Sequence, residues 1–272
     1  MVVQHNMQAA NTNRMLGQNV KAVSKSTEKL SSGYAVNRAA DDAAGLSISE
    51  KMRNQIRGIN QSVKNAEDGV SLIQTAEGNM NEIHSILQRM GELATKAAND
   101  VNATEDRKAI SDELTELRDE IDSISSKAAF NGTKLLTGDF KSKHLQVGAN
   151  AGENMVITIK SMNTTTLSLT ATDVCVSSHD KASGAMSKIS AAIKTVSAAR
   201  SELGAKQNRL NYTINNLENY SENLTSAESQ IRDTDMATEM TNYTKNNILQ
   251  QAAQSMLAQA NQSTQGVLSL LQ

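Results

Sequence analysis

His5, His84, His144 and His179 are the four histidines of the chain, and no two stand at the spacing of a helical pair or an HExxH zinc motif. Asp41 and Asp42 are adjacent carboxylates, but they precede a helical pattern, where a carboxylate caps free N–H groups and faces the positive helix end. Cys175 is the one cysteine, so it supports neither an intramolecular disulfide nor a Cys-based zinc site, and it falls in a Thr- and Val-rich run that reads as a strand. No glycine-rich phosphate cradle is present. Residues 105–122 hold eight acids against three bases, the mark of a solvated helix face. No constellation for catalysis, metal or cofactor emerges.

The residues with informative spacing are apolar. Near the end of the chain, Leu249, Ala253, Met256, Ala260, Ser263, Val267 and Leu270 step by 4, 3, 4, 3, 4 and 3, with Leu271 following. That is a heptad seam with one polar member, running almost to the last residue. Near the start, Leu16, Val20, Val23, Thr27 and Leu30 step by 4, 3, 4 and 3, and the register runs back to Ala9 and Asn13. Asn, Thr and Gly17 make this first stripe a poor helix on its own, and helices in water are stabilised mostly by packing. Two such terminal stripes are expected to be disordered or loosely paired in the single chain and to order when other copies supply apolar partners.

Composition says what positions these stripes. An average chain of 272 residues would carry roughly 13 prolines; this one has none, and aromatics are 2% with no Trp. Long helices packed through Ala, Leu, Ile, Val and Met follow. Met52, Ile59, Ala66 and Ile73 recur at seven with Ile56, Val63 and Val70 beside them. A second register, Ala76 to Ala97, implies a phase slip within one helix. Asn102 with Glu105, or Thr104, opens the next helix, whose seam is Ile110, Leu114, Leu117, Ile121, Ile124 and Ala128. Gly-punctuated runs over 138–176 read as a small β region with one or two hairpins. Ile189, Val196, Leu203, Leu210, Leu217, Leu224 and Ile231 then lie seven apart without a miss, with a weaker second seam through Ile193 and Ile214. The fold class is mainly α: an elongated bundle of long coiled-coil-like helices from both halves, with a small β-hairpin region mid-chain. The expected segments are a terminal helix and linker (1–42), a first core part (43–137), the β region (138–180), a long return helix (181–232) and a closing helix (233–272).

A net charge of −2 without a basic block speaks against nucleic acid. No run approaches a membrane span. "MVVQHNMQAANTNRMLGQ" has no continuous apolar core for a cleaved secretory signal.

"NRAADDAAGLSISEKMRNQIRG", "NAEDGVSLIQTAEG", "FNGTKLL", "LQVGANAGE" and the long run from "LGAKQNRLNY" to "QSMLAQANQ", with "VLSLL" after it, resemble bacterial flagellin in the right order. These matches cover most of residues 5–160 and 186–271. The opening keeps His5 and Asn6 but departs before them, and "SSHDKASGAM" has no counterpart. The resemblance implies a self-assembling, extracellular filament subunit for motility, exported uncleaved through the flagellar export apparatus with a chaperone and adjoining hook-associated proteins. In such a subunit the assembly positions would be Leu16, Val20, Val23, Leu30, Leu249, Ala253, Met256, Ala260, Val267, Leu270 and Leu271. "LQRMGELATKAAN" is similar to the segment recognised by Toll-like receptor 5. The carry-over names Gln88, Arg89, Glu92, Leu93 and Glu113, with Gly91 and Lys96 departing from the common pattern. A hook–filament junction protein is the alternative.

Overall fold

The computed structural model describes residues 6–270, with side chains described through residue 263. The helices are α1 (Met7–Ser32), α2 (Ala43–Ala97), α3 (Thr104–Lys127), α4 (His179–Arg232) and α5 (Met236–Leu270). Two antiparallel strand pairs lie between α3 and α4: β1 (Ala129–Phe130) with β2 (Thr133–Lys134), and β3 (Lys143–Gln146) with β4 (Asn154–Ile157). The architecture is therefore mainly α with a small β region mid-chain. The chain forms two compact units, Arg57–Ser221 and the remainder (Met1–Ile56 with Glu222–Gln272), and α2 and α4 contribute to both.

The 57–221 unit holds the large apolar core. Along α2, Ile59, Ser62, Ala66, Gly69, Ile73, Ala76, Met80, Ile83, Leu87, Met90, Ala94 and Ala97 are all buried, in unbroken steps of three and four. There is no phase slip, contrary to the expectation from hydrophobicity. Ser62 and Gly69 occupy seam positions that pattern reading assigns to nothing, while Ile56, Val63 and Val70 lie half-buried on the flank. The Ser62 hydroxyl disposes of its polarity by donating to the Gly58 carbonyl at 2.9 Å. A Cβ at Gly69 would meet a terminal methyl of half-buried Leu145, so that side chain would have to shift to admit it.

The return helix follows the same rule. Ile189, Val196, Leu203 and Leu210 are buried as the heptad predicts, but their partners are Ala185, Ala192 and Ala199. Ile193 and Ile214 are only partly buried. Beyond Leu210 the seam emerges: Leu217, Leu224 and Ile231 are half-buried. In α3, Ile110, Leu114 and Ile121 are buried and Leu117 and Ile124 pack against the core. This helix starts at Thr104, and the Asp106 carboxylate accepts the Ala103 N–H at 3.2 Å. Asn102 does not cap it; its amide donates instead to the Lys96 and Asn99 carbonyls at the end of α2.

The first hairpin forms ahead of the expected β region because Asn131 (φ 46°) and Gly132 (φ 77°) make the two-residue left-handed turn between Phe130 and Thr133. In the second, Met155 and Ile157 point inward and Val156 outward. The run 163–176 is not a strand, and Cys175 is not a strand residue. Side chains there satisfy the backbone locally: Asn163 accepts from Thr166 N, and Asp173 from both the backbone and the hydroxyl of Thr170. Asp122 of α3 holds Thr164 by its N–H and its hydroxyl at 2.9 and 2.7 Å. Such bonds replace a ladder with turns, yet Leu167, Leu169, Val174 and Val176 remain buried.

The other unit pairs α1 with α5 in opposite directions. The Asn6 amide donates to the Ala260 carbonyl at one end, and Thr234 N donates to the Gly33 carbonyl at the other. Gly33 ends α1 in the left-handed conformation (φ 76°). Asp42 starts α2 by accepting from Ala44 N and Gly45 N, and Asp41 instead pairs with Lys25 at 2.8 Å.

Candidate functional site

The terminal pair is built the wrong way round for a self-sufficient unit. The buried side chains of the terminal unit among the described residues are Ser26, Val36, Ser49, Ala253 and Ala260. Facing α1, α5 presents half-buried Tyr243, Asn246, Gln250 and Leu257 around those two alanines. The large apolar side chains point away: Met7 is 75% exposed, Ile48 46%, Ile248 60% and Met256 54%. Met15, Val20, Met236, Met240 and Leu249 are exposed as well. A helix apolar on several faces is one that something else covers.

The residues expected to make assembly contacts divide accordingly. Leu16, Val23 and Leu30 are half-buried toward α5, whereas Val20 is exposed. In α5, Ala253 and Ala260 take the intramolecular side of the heptad, and Leu249 and Met256, seven apart, form an open side. Leu271 and the side chains of Val267 and Leu270 lie outside the described residues. Met236, Met240 and Ile248 belong to the same exposed set but fall outside the heptad. Their signal in the sequence is the excess of large apolar residues over what one seam uses.

A polar hub closes this unit. The Arg232 guanidinium lies 4.9 Å over the Tyr34 ring and bonds Glu50 at 2.9 Å, while Ala35 N donates to the Arg232 carbonyl at 2.7 Å. Sequence spacing does not reveal it, since the three side chains come from three separate segments. Lys25 and Asp41 shift in opposite senses. The hydrogen bond between them raises the lysine above its usual range and lowers the carboxyl below its own.

In the 57–221 unit, the receptor-type residues gather on α2 and α3. Arg89 Nη2 and Nε bond Glu113 Oε1 at 2.8 and 3.1 Å, and Nη1 bonds Glu92 at 3.3 Å. The hydrogen bonds and charge of Glu113, then Glu92, push the guanidinium pKa further up. Gln88 is exposed and contacts His84 at 3.2 Å. Leu93 is only 4% exposed, so it underlies this surface and offers no open apolar anchor. Beside Arg89 runs an open groove of ≈ 500 Å³ that also involves Lys96, Asn102 and Asp106.

Two further histidines have structural partners. His144 meets Asn154, and His179 Nδ1 lies 2.7 Å from the Ala98 carbonyl past the end of α2; His5 lies outside the described residues. Among the described residues no group of three His, Cys, Asp or Glu could hold a metal, and no helix is long and apolar enough to cross a membrane. The Cys175 thiol, half-buried, is pulled down by hydrogen bonding with Ser177.

Residues 3–141 match the bacterial flagellin N-terminal helical region, and residues 186–271 match the bacterial flagellin C-terminal helical region. The chain is 50% identical to a flagellin of Halalkalibacterium halodurans and 47% to one of Bacillus subtilis, in both cases along 100% of each chain. A crystal structure of Bacillus cereus flagellin superposes with a TM-score of 0.52 at 29% identity, covering 57% of this chain and 88% of that one. A structure assigned to a flagellar hook-associated protein of Vibrio parahaemolyticus gives 0.61 over 71% of this chain and 100% of that one, but at 15% identity it shares the fold alone. With both helical regions matched and half of all positions identical to a full-length flagellin, the chain belongs to the bacterial flagellin family, a family of structural proteins.

Proposed function

We propose that this protein is the structural subunit of an extracellular bacterial flagellar filament and that other copies of the chain cover its terminal helices. The observation that carries the proposal is the inverted pair: among the described residues α1 and α5 bury Ser26, Ala253 and Ala260 and expose Met7, Ile248, Leu249 and Met256. Burying each such side chain contributes about 1.5–3 kcal/mol, so neighbours that cover several of them supply what the single chain lacks. The terminal helices consolidate as subunits add. Export without a cleaved signal, a chaperone on the closing helix and contact with hook-associated proteins belong to the same proposal and rest on family membership.

The test is electron microscopy of purified chain added to filament seeds, beside a truncation lacking residues 249–272. Growth from the full chain and none from the truncation is the expected outcome. Growth from both would remove the closing helix from the mechanism. No growth from either would favour a hook–filament junction protein.

A second reading concerns recognition by Toll-like receptor 5. It is supported by Arg89 standing exposed in a fixed fork between Glu92 and Glu113, the kind of preorganised arginine that anchors interfaces. Arg89→Ala is expected to weaken binding to the receptor ectodomain about tenfold or more while leaving the helical signal unchanged. Undiminished binding would count against the assignment.

A further inference from the structure

The described methionines differ in exposure, with Met52 and Met186 half-buried between two extremes. Met80, Met90, Met155 and Met162 of the 57–221 unit are buried. Every methionine among the exposed large apolar side chains, namely Met7, Met15, Met236, Met240 and Met256, lies on α1 or α5. We propose that these five thioethers are an oxidation site: two-electron oxidation by a peroxide blocks the free subunit from assembling, and burial in the assembly protects them. The inference rests on the filament proposal and adds a redox sensitivity to the same surfaces.

The chemistry follows from exposure. A methionine sulfur attacks one oxygen of hydrogen peroxide, the O–O bond breaks, an S=O bond forms, and water leaves with both peroxide protons. Sulfur is oxidised by two electrons and the peroxide is reduced by two. The product is a polar, chiral sulfoxide in place of a flexible apolar side chain, which disrupts methionine-lined contacts. Two thiols of a reductase reverse the step, giving thioether, disulfide and water.

The surface is also one where small changes count. Among the described residues, the intramolecular α1–α5 seam buries Ser26, Ala253 and Ala260 but no large side chain. The exposed methionines, with Val20, Ile248 and Leu249, are the large apolar side chains that α1 and α5 leave open among the described residues. Sulfoxide at Met256 falls on the same face as Leu249, and at Met7 it lies beside Asn6, whose amide bonds the Ala260 carbonyl.

The experiment uses the full chain. Soluble subunit is treated with dilute hydrogen peroxide, mapped by peptide mass spectrometry and added to untreated seeds, in parallel with untreated subunit. A second arm uses a chain carrying Met7→Leu, Met15→Leu, Met236→Leu, Met240→Leu and Met256→Leu. The expected result is sulfoxide at those five positions ahead of Met80, Met90, Met155 and Met162. Seeded elongation should fall about tenfold or more, with recovery after methionine sulfoxide reductase and no loss in the five-leucine chain. Oxidised subunit that elongates at the untreated rate overturns the proposal, and so does equal oxidation of the four buried methionines. If the five-leucine chain does not assemble even untreated, reductase rescue of the oxidised native chain decides. Untreated native subunit that fails to extend seeds would instead remove the filament proposal, and this one with it.

Discussion

Asp235 sets the start of the closing helix. Its carboxylate accepts the Thr238 N–H and hydroxyl and the Ala237 N–H, and these bonds, the Thr238 backbone bond foremost, hold its pKa below the ordinary 3.8. A lowered folded pKa means that the contribution is complete above 3.8 and is lost as pH falls through the depressed value. Lys25 and Asp41 bracket the same unit from both sides. Asp41 behaves like Asp235, whereas the raised Lys25 contributes fully below 10.5 and loses its contribution as pH climbs through its higher folded value. The expected outcome is a terminal unit whose helical circular dichroism is flat across neutral pH and falls in acid. Asp235→Ala should lower the neutral signal modestly and shrink the acid step; an unchanged acid step would remove Asp235 as its source.

At the scale of the element, small residues decide how α2 and α4 pack. Gly69→Ala gains up to about 1 kcal/mol of helix propensity but places a methyl against Leu145, and overpacking costs about 1–3 kcal/mol. A net loss in thermal stability is expected. Gly78→Ala, with nothing within 4 Å of its Cβ, should stabilise by a few tenths to about 1 kcal/mol. The two variants melting alike would show that the Gly69 approach is not tight. Heptad position likewise does not equal burial: Leu210→Ala should cost about 2–5 kcal/mol, and the half-buried Leu224→Ala less, when both are followed by denaturant unfolding. Three of these seams were legible in the sequence, since Ile110 to Ala128, Ile189 to Leu210 and Ala76 to Ala97 carry their own apolar signal. The small partner seams were not. Ser62, Gly69, Ala185, Ala192 and Ala199 are buried for their size, and hydrophobicity does not report size.

At the scale of the molecule, the 57–221 unit holds one connected apolar core and the terminal unit holds none among the described residues. Amide exchange protection tracks such differences. Amides of 7–32 and 236–263 should exchange well before those of 73–97 and 185–210 in the isolated chain, and should slow on addition to filament. Uniform protection across both sets, measured by hydrogen–deuterium exchange, would refute a weak terminal unit. The receptor-type cluster belongs to the well-packed unit, where Arg89 stands over a buried Leu93.

By itself the sequence determined the helical class, the order of the helices and the family. Absent proline, heptad spacing and long ordered motifs act locally along the chain and do not depend on which face meets which neighbour. Tertiary structure decided what those patterns mean. Burial alone distinguishes Ala253 and Ala260, pressed on α1, from Leu249 and Met256 in the same heptad, left open. It also turned the Thr- and Val-rich run at 163–176 into turns, because Asp122, from a distant helix, takes the Thr164 N–H that a strand would have used. Each of these outcomes depends on a partner distant in sequence, and period and propensity carry no record of that partner.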